Sequence, residues 1–329
     1  MSNCKISIII AVYNIQDYII PCLESCASQQ DVTNDDYEVI IVNDGATDNS
    51  PRLIAEFISD KPSFRMVTRP NGGLSVARNT GLSVANGDYV WFVDGDDAIA
   101  PNAVSSLLSK IRLFNSDAII CNFYTFDDDG FIDKSQFNTF LPCSGKEIHN
   151  KYLRVLPMMA WLTIYRTNNL IENGLYFLPG ILHEDKEFSI RAHHCMKSIN
   201  QIDDALYYYR ISRKGSIMSE IRKDNTKSLV SEIKIIDSFY VFFKNEDTTF
   251  VRMIMGSCAT TFFIRRYDAA FMLNEITSGL LKKNRLRLYK LMWESGQWKR
   301  RVLLLFIIIM PSFLLKRIMP QIGNRSKLM

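Results

Sequence analysis

Residues 88–97 read Asp-Tyr-Val-Trp-Phe-Val-Asp-Gly-Asp-Asp, a short apolar strand that ends in three carboxylates within four positions. Clustered carboxylates repel one another unless a cation lies among them. Mg²⁺ is usually held by one or two carboxylates together with the phosphates of a substrate. Asp94, Asp96 and Asp97 therefore predict a divalent ion and a phosphorylated ligand, with a solvated acidic turn as the structural alternative.

Apolar runs alternate with helix-length segments on both sides of this strand. Their continuous Ile and Val content is typical of strands buried on both faces of a parallel sheet. The runs are 6–12, 37–42, 64–67, 89–93 and 118–123. The alternation predicts an α/β fold with right-handed βαβ connections. Ligands of such sheets bind beyond the carboxyl ends of the strands, so the loops after Val12, Val42 and Val93 should converge there.

The loops at these strand ends favour a nucleotide. No glycine lies near Tyr13-Asn14 after the first strand, so the fingerprint of a nicotinamide dehydrogenase is missing. Asp44 can accept an N–H of a nucleobase or a ribose hydroxyl, or it can form an Asx turn. Asn71-Gly72-Gly73 can bring backbone close to a ligand, and Arg78 on the following helix either meets a phosphate or lies exposed.

Four segments occur in a fixed order along this region. They are Ile-Ile-Ile-Ala-Val-Tyr-Asn (8–14), Val-Asn-Asp-Gly-Ala-Thr-Asp (42–48), Asn-Gly-Gly-Leu-Ser-Val-Ala-Arg-Asn (71–79) and Phe-Val-Asp-Gly-Asp-Asp (92–97). In this order and spacing they resemble the family 2 inverting glycosyltransferases of the GT-A fold, bacterial surface-polysaccharide type. The likeness covers roughly the first 210 residues. It implies a GT-A type, Rossmann-like, mostly parallel sheet flanked by helices in residues 1–220. After residue 220 mixed apolar and charged faces predict a helical C-terminal region in residues 221–329.

The resemblance implies a nucleotide-diphosphate sugar donor, uridine-linked, and a divalent ion, Mg²⁺ or Mn²⁺. Asp96 matches the last acid of the family's Asp-X-Asp signature, which holds the metal against the diphosphate. Asp97 either supports the metal shell or caps the following helix. The residues expected to bind the donor are Ala11, Val12, Tyr13, Asp44, Arg78, Asp94 and Gly95.

A second carboxylate group begins a predicted helix at His183-Glu184-Asp185. Acids in a first helical turn are favoured by the helix dipole, so a structural explanation stands beside a catalytic one. The resemblance makes Asp185 the general base that accepts the proton of the acceptor hydroxyl. Glu184 or His183 would orient that base or contact the sugar, and His183 is alternatively a metal ligand.

Two further segments are expected near the substrates. Trp161 lies where related enzymes bring an aromatic ring to a sugar, although it is equally suited to the core. Residues 205–217 resemble the family's closing segment, a strand followed by a basic loop that folds over the diphosphate as a flap, and an ordinary edge strand is the alternative. The flap residues are Arg210, Arg213, Lys214 and Ser216.

The C-terminal region is basic. From residue 281 onward twelve Lys and Arg stand against the single acid Glu294, a local net charge of +11 in a chain whose total is +4. The acidic body argues against a nucleic-acid partner. The apolar run 302–315, inside the basic segment 299–317, spans about 21 Å as a helix against a hydrocarbon core of about 30 Å. It predicts an interfacial or re-entrant anchor, with a buried hairpin or a homodimer interface as the alternative.

These features together predict an inverting, metal-dependent hexosyl- or N-acetylhexosaminyltransferase. Its acceptor would be a hydroxyl of a glycan or lipid-linked glycan in surface polysaccharide biosynthesis. No signal peptide begins the chain, so a cytoplasmic body, peripheral on the cytoplasmic face of the cell membrane, is expected. One alternative is a nucleotidyltransferase, which requires a glycine- and lysine-rich phosphate loop after strand one that this sequence lacks. The other is a metal-dependent phosphohydrolase, whose aspartates normally follow its first core strand, whereas here they follow the fourth predicted strand.

Overall fold

One mixed sheet organises the first part of the chain. The computed structural model describes residues 5–127, 130–135, 142–152, 158–211, 226–246, 248–266 and 275–309. The strands of these residues are β1 (Ile6–Val12), β2 (Tyr37–Asn43), β3 (Phe64–Thr68), β4 (Tyr89–Asp94), β5 (Ala98–Ile99), β6 (Ala118–Asp127), β7 (Gly130–Ser135), β8 (Thr163–Arg166) and β9 (Ile199–Arg210). Their order across the sheet is β3-β2-β1-β4-β8-β6-β9-β5, with β7 paired to β6.

The predicted βαβ series forms the parallel half of this sheet. β3, β2, β1 and β4 pair in parallel, as their buried aliphatic runs predict. The sequence did not reveal β8, which inserts antiparallel between β4 and β6. The two antiparallel pairings of β8 leave β6 parallel to β4, and β9 pairs in parallel with β6. The predicted mostly parallel α/β sheet is therefore confirmed.

Helices cover both faces of the sheet. They are α1 (Ile19–Ala27), α2 (Ser50–Ile58), α3 (Leu74–Ser83), α4 (Ala103–Phe114), α5 (Gly145–Tyr152), α6 (Thr167–Glu172) and α7 (Glu184–Cys195). α1 shows how they pack, because Ile19, Cys22, Leu23 and Cys26 recur on one face and are buried. The two cysteines therefore serve the core.

Strand register aligns the carboxyl ends of the central strands. Ala11 in β1 lies opposite Val42 in β2 and Asp94 in β4, and Val12 lies opposite Asn43. The loops that follow these three strands therefore start at the same edge of the sheet, as the sequence predicted.

The chain divides into two compact units. The first comprises residues 1–180 and 184–213, and the second comprises residues 181–183 and 214–329. The predicted boundary after residue 220 lies outside the described residues. The second unit contains α8 (Thr226–Phe242), α9 (Thr249–Arg266), α10 (Glu275–Glu294) and α11 (Trp298–Ile309). Among the helices that the structure describes, none combines the length and the hydropathy needed to cross a bilayer.

Candidate active site

The loops after β1 and β2 are joined by side-chain hydrogen bonds. Asn14, at a positive φ of 50°, accepts the backbone N–H of Thr47 at 2.8 Å. The N–H of Gln16 donates to the Asp48 carboxylate at 2.9 Å. Tyr13 stands at the tip of the first loop with 49% of its surface exposed, while Val12 behind it is buried. A flat aromatic side chain is therefore presented at the carboxyl edge of the sheet.

Asp44 supports the neighbouring glycine loop. Its carboxylate is 2% exposed and accepts the backbone N–H of Gly73 at 2.7 Å and that of Gly72 at 3.1 Å. The guanidinium of Arg69 also donates to it. Asp44 thus holds residues 72–73 against the second strand end, an arrangement that the Asx-turn alternative did not anticipate. Its predicted contact with the donor stays a prediction.

Arg78 joins the two carboxylate groups that lie far apart in the sequence. It is 2% exposed, so the alternative of an exposed helix arginine is wrong. Its Nη2 donates to Asp94 Oδ1 at 2.7 Å, and its Nη1 donates to Asp185 Oδ1 at 2.5 Å and to Glu184 Oε1 at 3.3 Å. One guanidinium therefore connects the acidic loop after β4 with the first turn of α7.

The charged groups of this bridge shift one another's pKa values. Burial works against the charged form of Arg78, but Asp185, Asp94 and Glu184 outweigh it and raise the pKa of the guanidinium above its usual range. Burial, with the neighbouring Asp185 charge, raises the pKa of Glu184 to about 7. Burial also raises the pKa of Asp185, and Arg78 opposes that rise. A carboxylate with a raised pKa is a stronger proton acceptor than a free one.

Tyr207 in β9 fixes the acidic loop. Its hydroxyl accepts the N–H of Asp94 at 3.0 Å and donates to Asp97 Oδ2 at 2.6 Å. The other oxygen of Asp97 accepts the N–H of Arg210 at 2.7 Å, and the Arg210 Nε donates to the carbonyl of Asp96 at 3.0 Å. Asp97 is 3% exposed and ties the loop to β9. The helix-cap alternative is wrong, because the next helix begins at Ala103 with Asn102 at its cap position, and support of the metal shell stays a prediction.

The chemistry of the loop suits a divalent ion. Asp94 and Asp96 are the partly exposed carboxylates, whereas Asp97 is withdrawn. The described residues contain no group of three or more His, Cys, Asp or Glu arranged to hold a metal. Because Mg²⁺ is usually held by one or two carboxylates plus phosphate oxygens, a site of this kind is completed by its substrate. A Cβ added at Gly95, between them, would lie 2.5 Å from the terminal methyl of Ile15, so that side chain would have to shift to admit it.

Trp161 lies inside the aromatic stack behind Tyr207. It is 4% exposed, and its ring stacks on Tyr207 at 4.3 Å and on Tyr209 at 5.2 Å between centroids. Its carbonyl accepts the indole N–H of Trp91 at 2.7 Å. The core alternative describes this placement, and a sugar contact for Trp161 stays a prediction. Sequence reasoning missed the role of Tyr207, although the three consecutive tyrosines 207–209 are typical of a strand.

The remaining predicted residues are His183 and the four flap residues. His183 has a positive φ of 63°, and its Nε2 lies 3.1 Å from Ser228 Oγ within the second unit. Arg210 stands at the end of β9 with its guanidinium 4.5 Å from the centre of the Phe126 ring. Three flap residues fall outside the described residues: Arg213, Lys214 and Ser216.

Removing the Tyr207 hydroxyl should loosen the acidic loop. Tyr207→Phe keeps the stack on Trp161 but leaves the Asp94 N–H and one Asp97 oxygen without that partner. We expect metal-dependent affinity for a nucleoside diphosphate to fall about five- to tenfold, the scale of one or two lost hydrogen bonds. Titration calorimetry measures this. The control is Tyr208→Phe, the next residue on β9, whose ring faces Tyr124. Equal affinity for wild type and Tyr207→Phe would contradict the assignment.

Comparison with known proteins identifies what this arrangement is similar to. The family model described as Glycosyl transferase family 2 matches residues 7–170. The putative glycosyltransferase EpsH of Bacillus subtilis is 35% identical over 68% of this chain, and the match spans 65% of the length of EpsH. The glycosyltransferase GlyG of Streptococcus pneumoniae is 32% identical over 65% of this chain and 72% of its own length. The crystal structure of Staphylococcus aureus TarS 1–349 in complex with UDP shares the fold, with a TM-score of 0.63 at 20% identity over 97% of this chain and 91% of that chain.

Proposed function

We propose, because this chain belongs to glycosyl transferase family 2, that it transfers one sugar from a nucleotide-diphosphate sugar to a hydroxyl of a glycan acceptor. The observation that carries the proposal is the Arg78 bridge between Asp94 and Asp185. In this proposal the bridge brings Asp94, at the ribose of the donor, and Asp185, the proton acceptor, into one site. Both carboxylates keep about a quarter of their side-chain surface exposed, 26% and 24%, so they remain accessible to substrates.

The donor in this proposal is a UDP-sugar. Ala11, Val12, Tyr13 and Asp44 surround the base, and the exposed Tyr13 ring offers it a stacking surface. Asp94 and Gly95 lie at the ribose. The UDP bound in the TarS structure supports a uridine nucleotide for this chain. The transferred sugar in this proposal is a hexose or an N-acetylhexosamine, and the name of TarS of Staphylococcus aureus, a poly(ribitol-phosphate) beta-N-acetylglucosaminyltransferase, supports the second class.

The reaction is a single displacement. Asp185 accepts the proton of the acceptor hydroxyl as that oxygen attacks the anomeric carbon. The bond between the anomeric carbon and the diphosphate breaks, the nucleoside diphosphate leaves with the electron pair, and the anomeric configuration inverts. Arg78 holds Asp185 in place through an ion pair. It also contacts Glu184, the residue that helps to orient the base in this proposal. Mg²⁺ or Mn²⁺, when held by Asp96 with Asp94, would offset the charge of the leaving diphosphate.

The acceptor and the location extend the proposal. We take the acceptor to be a lipid-linked glycan of surface polysaccharide assembly, so that the enzyme works at the cytoplasmic face of the cell membrane with residues 299–317 as its contact. Family membership disfavours the nucleotidyltransferase and phosphohydrolase alternatives. The candidates for acceptor and diphosphate contacts remain His183, Trp161 and the flap residues, which include Arg210.

A screen of nucleotide sugars tests the proposed reaction. The full chain in detergent, supplied with Mg²⁺ or Mn²⁺ and a panel of nucleotide sugars, should release UDP from one of them and accelerate when a glycan acceptor is added. With pyrophosphate added to the same panel, formation of a nucleoside triphosphate and a sugar 1-phosphate would instead identify a nucleotidyltransferase. Hydrolysis of a nucleotide sugar to a nucleoside monophosphate and a sugar 1-phosphate would identify a phosphohydrolase. Either outcome would contradict the proposed function.

Asp96→Asn tests the metal assignment separately. The substitution keeps the shape of the side chain and removes its charge, so metal-dependent donor binding and turnover should both fall by about tenfold or more. Titration of Mn²⁺ against the donor-bound protein measures the first effect. Asp60→Asn, a side chain that is 78% exposed, is the charge-matched control. Full wild-type activity in the presence of a chelator would contradict the metal site.

A further inference from the structure

Helix α11 exposes an apolar stripe instead of a polar face. Trp298, Val302, Leu305 and Ile309 are 69%, 41%, 47% and 77% exposed, and their spacing of four, three and four residues places them on one side of the helix. The opposite side carries Leu304 and Ile307, which are 4% and 5% exposed. Both sides of the helix are therefore apolar, and among the residues that the structure describes only the side with Leu304 and Ile307 is buried.

Basic side chains border this stripe. Lys299 and Arg301 are exposed at the start of α11 and lie on opposite sides of Trp298 around the helix. The Arg301 guanidinium also lies 5.1 Å from the centre of the Trp293 ring, and its Nε donates to the Trp293 carbonyl at 2.9 Å. Trp293 is 51% exposed, so a second indole extends the surface at the end of α10.

We propose that this stripe, Trp298-Val302-Leu305-Ile309 with Trp293, inserts at the headgroup boundary of a bilayer that contains anionic lipid. Exposed apolar faces with tryptophan and flanking Lys and Arg are typical of helices that lie in the membrane interface. Charge favours lipid over a second copy of the chain, because a self-complementary interface would bring the same basic side chains together. The inference rests on the proposed function for its membrane location and names the surface that makes the contact.

The tryptophans make insertion observable. The chain has four, and Trp91 and Trp161 are buried in the first unit while Trp293 and Trp298 are exposed. Adding vesicles of phosphatidylglycerol and phosphatidylcholine to the full chain should shift the emission to shorter wavelength, and brominated acyl chains should quench it. Trp298→Phe, which keeps an aromatic ring, should retain binding and lose about half of the quenching.

Co-sedimentation with the same vesicles tests the stripe. The double variant Trp298→Ser with Leu305→Ser should bind at least tenfold more weakly, since each side chain buried in an apolar phase contributes about tenfold or more. Lys299→Gln with Arg301→Gln should weaken binding at low salt and make little difference at high salt, because salt screens charge but not apolar burial. The matched control is Leu113→Ser, which removes an exposed leucine, 71% accessible, from α4. Vesicles of phosphatidylcholine alone should bind less of the wild type.

The outcomes that overturn the inference are distinct. Wild-type protein that fails to bind anionic vesicles, or a stripe variant that binds as wild type does, excludes insertion. A dimer in light scattering that the stripe variant dissociates identifies a second copy as the occupant. Loss of binding on deletion of residues 310–329, with full binding by the stripe variant, moves the contact to the tail. UDP affinity in detergent is measured in parallel, so failure of the membrane surface is separated from failure of the proposed reaction.

Discussion

Asp185→Asn is expected to reduce sugar transfer by about 10²-fold or more while donor affinity changes by no more than a few-fold. The amide oxygen can still accept the hydrogen bond from Arg78 Nη1, which lies 2.5 Å from the carboxylate in the folded protein. The substitution therefore preserves the bridge and removes the proton acceptor. Single-turnover transfer and calorimetric titration of the donor, measured on the same preparation, separate the two effects.

Glu184→Gln is the matched control for this experiment. Glu184 lies 3.3 Å from the same arginine and has a pKa raised to about 7, so it is partly protonated near neutral pH. Its replacement by a neutral amide should cost less than the loss of Asp185. Equal loss of donor binding and rate in Asp185→Asn would make that residue a donor ligand. A product with retained anomeric configuration would exclude single displacement altogether.

The parallel half of the sheet was predictable because its signal is local. The runs rich in Ile, Val and aromatic residues in β1, β2 and β4 are short, buried and separated by helix-length segments, so each indicates a strand without reference to the rest. In the edge strand β3 only Phe64 is buried. The convergence of their loops then follows from parallel pairing alone. β8 gave no comparable signal, since four residues are too few to show a period, and its antiparallel insertion depends on contacts with β4 and β6.

The candidate site residues were predicted from sequence motifs, but the contacts between them could not be predicted. Nothing in the sequence places Arg78 nearer to Asp185 than to a phosphate, because 107 residues separate the two and only the folded sheet brings α3 and α7 together. Tyr207 was missed for the same reason, since its hydroxyl serves the acidic loop 110 residues earlier in the chain. Asp97 was predicted to support the metal shell or to cap the following helix. Its position next to Asp96 in the sequence does not reveal that its carboxylate turns inward. The spacing of residues in the sequence does not reveal such long-range hydrogen bonds.

Replacing Arg78 should have the largest effect on stability, because the guanidinium is buried among three carboxylates. Arg78→Met removes the positive charge and leaves Asp94, Glu184 and Asp185 without it, so the free energy of unfolding should fall by about 3–5 kcal/mol at pH 8. Arg78→Lys keeps the charge but not the planar fork, so it should recover part of the stability and little of the activity. Urea denaturation of each variant measures the loss, and Arg52→Met, an exposed arginine paired with Glu56, is the control expected to change little.

The pH dependence gives the same prediction an internal check. A carboxyl group whose pKa is raised in the folded state contributes stability below its unfolded pKa and loses it as the pH rises through the folded value. Glu184, with a pKa of about 7 even beside Arg78, is such a group, and removal of the guanidinium must raise that pKa further. Arg78→Met should therefore lie closer to wild type in stability at pH 5.5 than at pH 8. If the loss of stability relative to wild type were equal at both pH values, the charge of Arg78 would not stabilise the three carboxylates. The proposed bridge between Asp94 and Asp185 would then lose its physical basis.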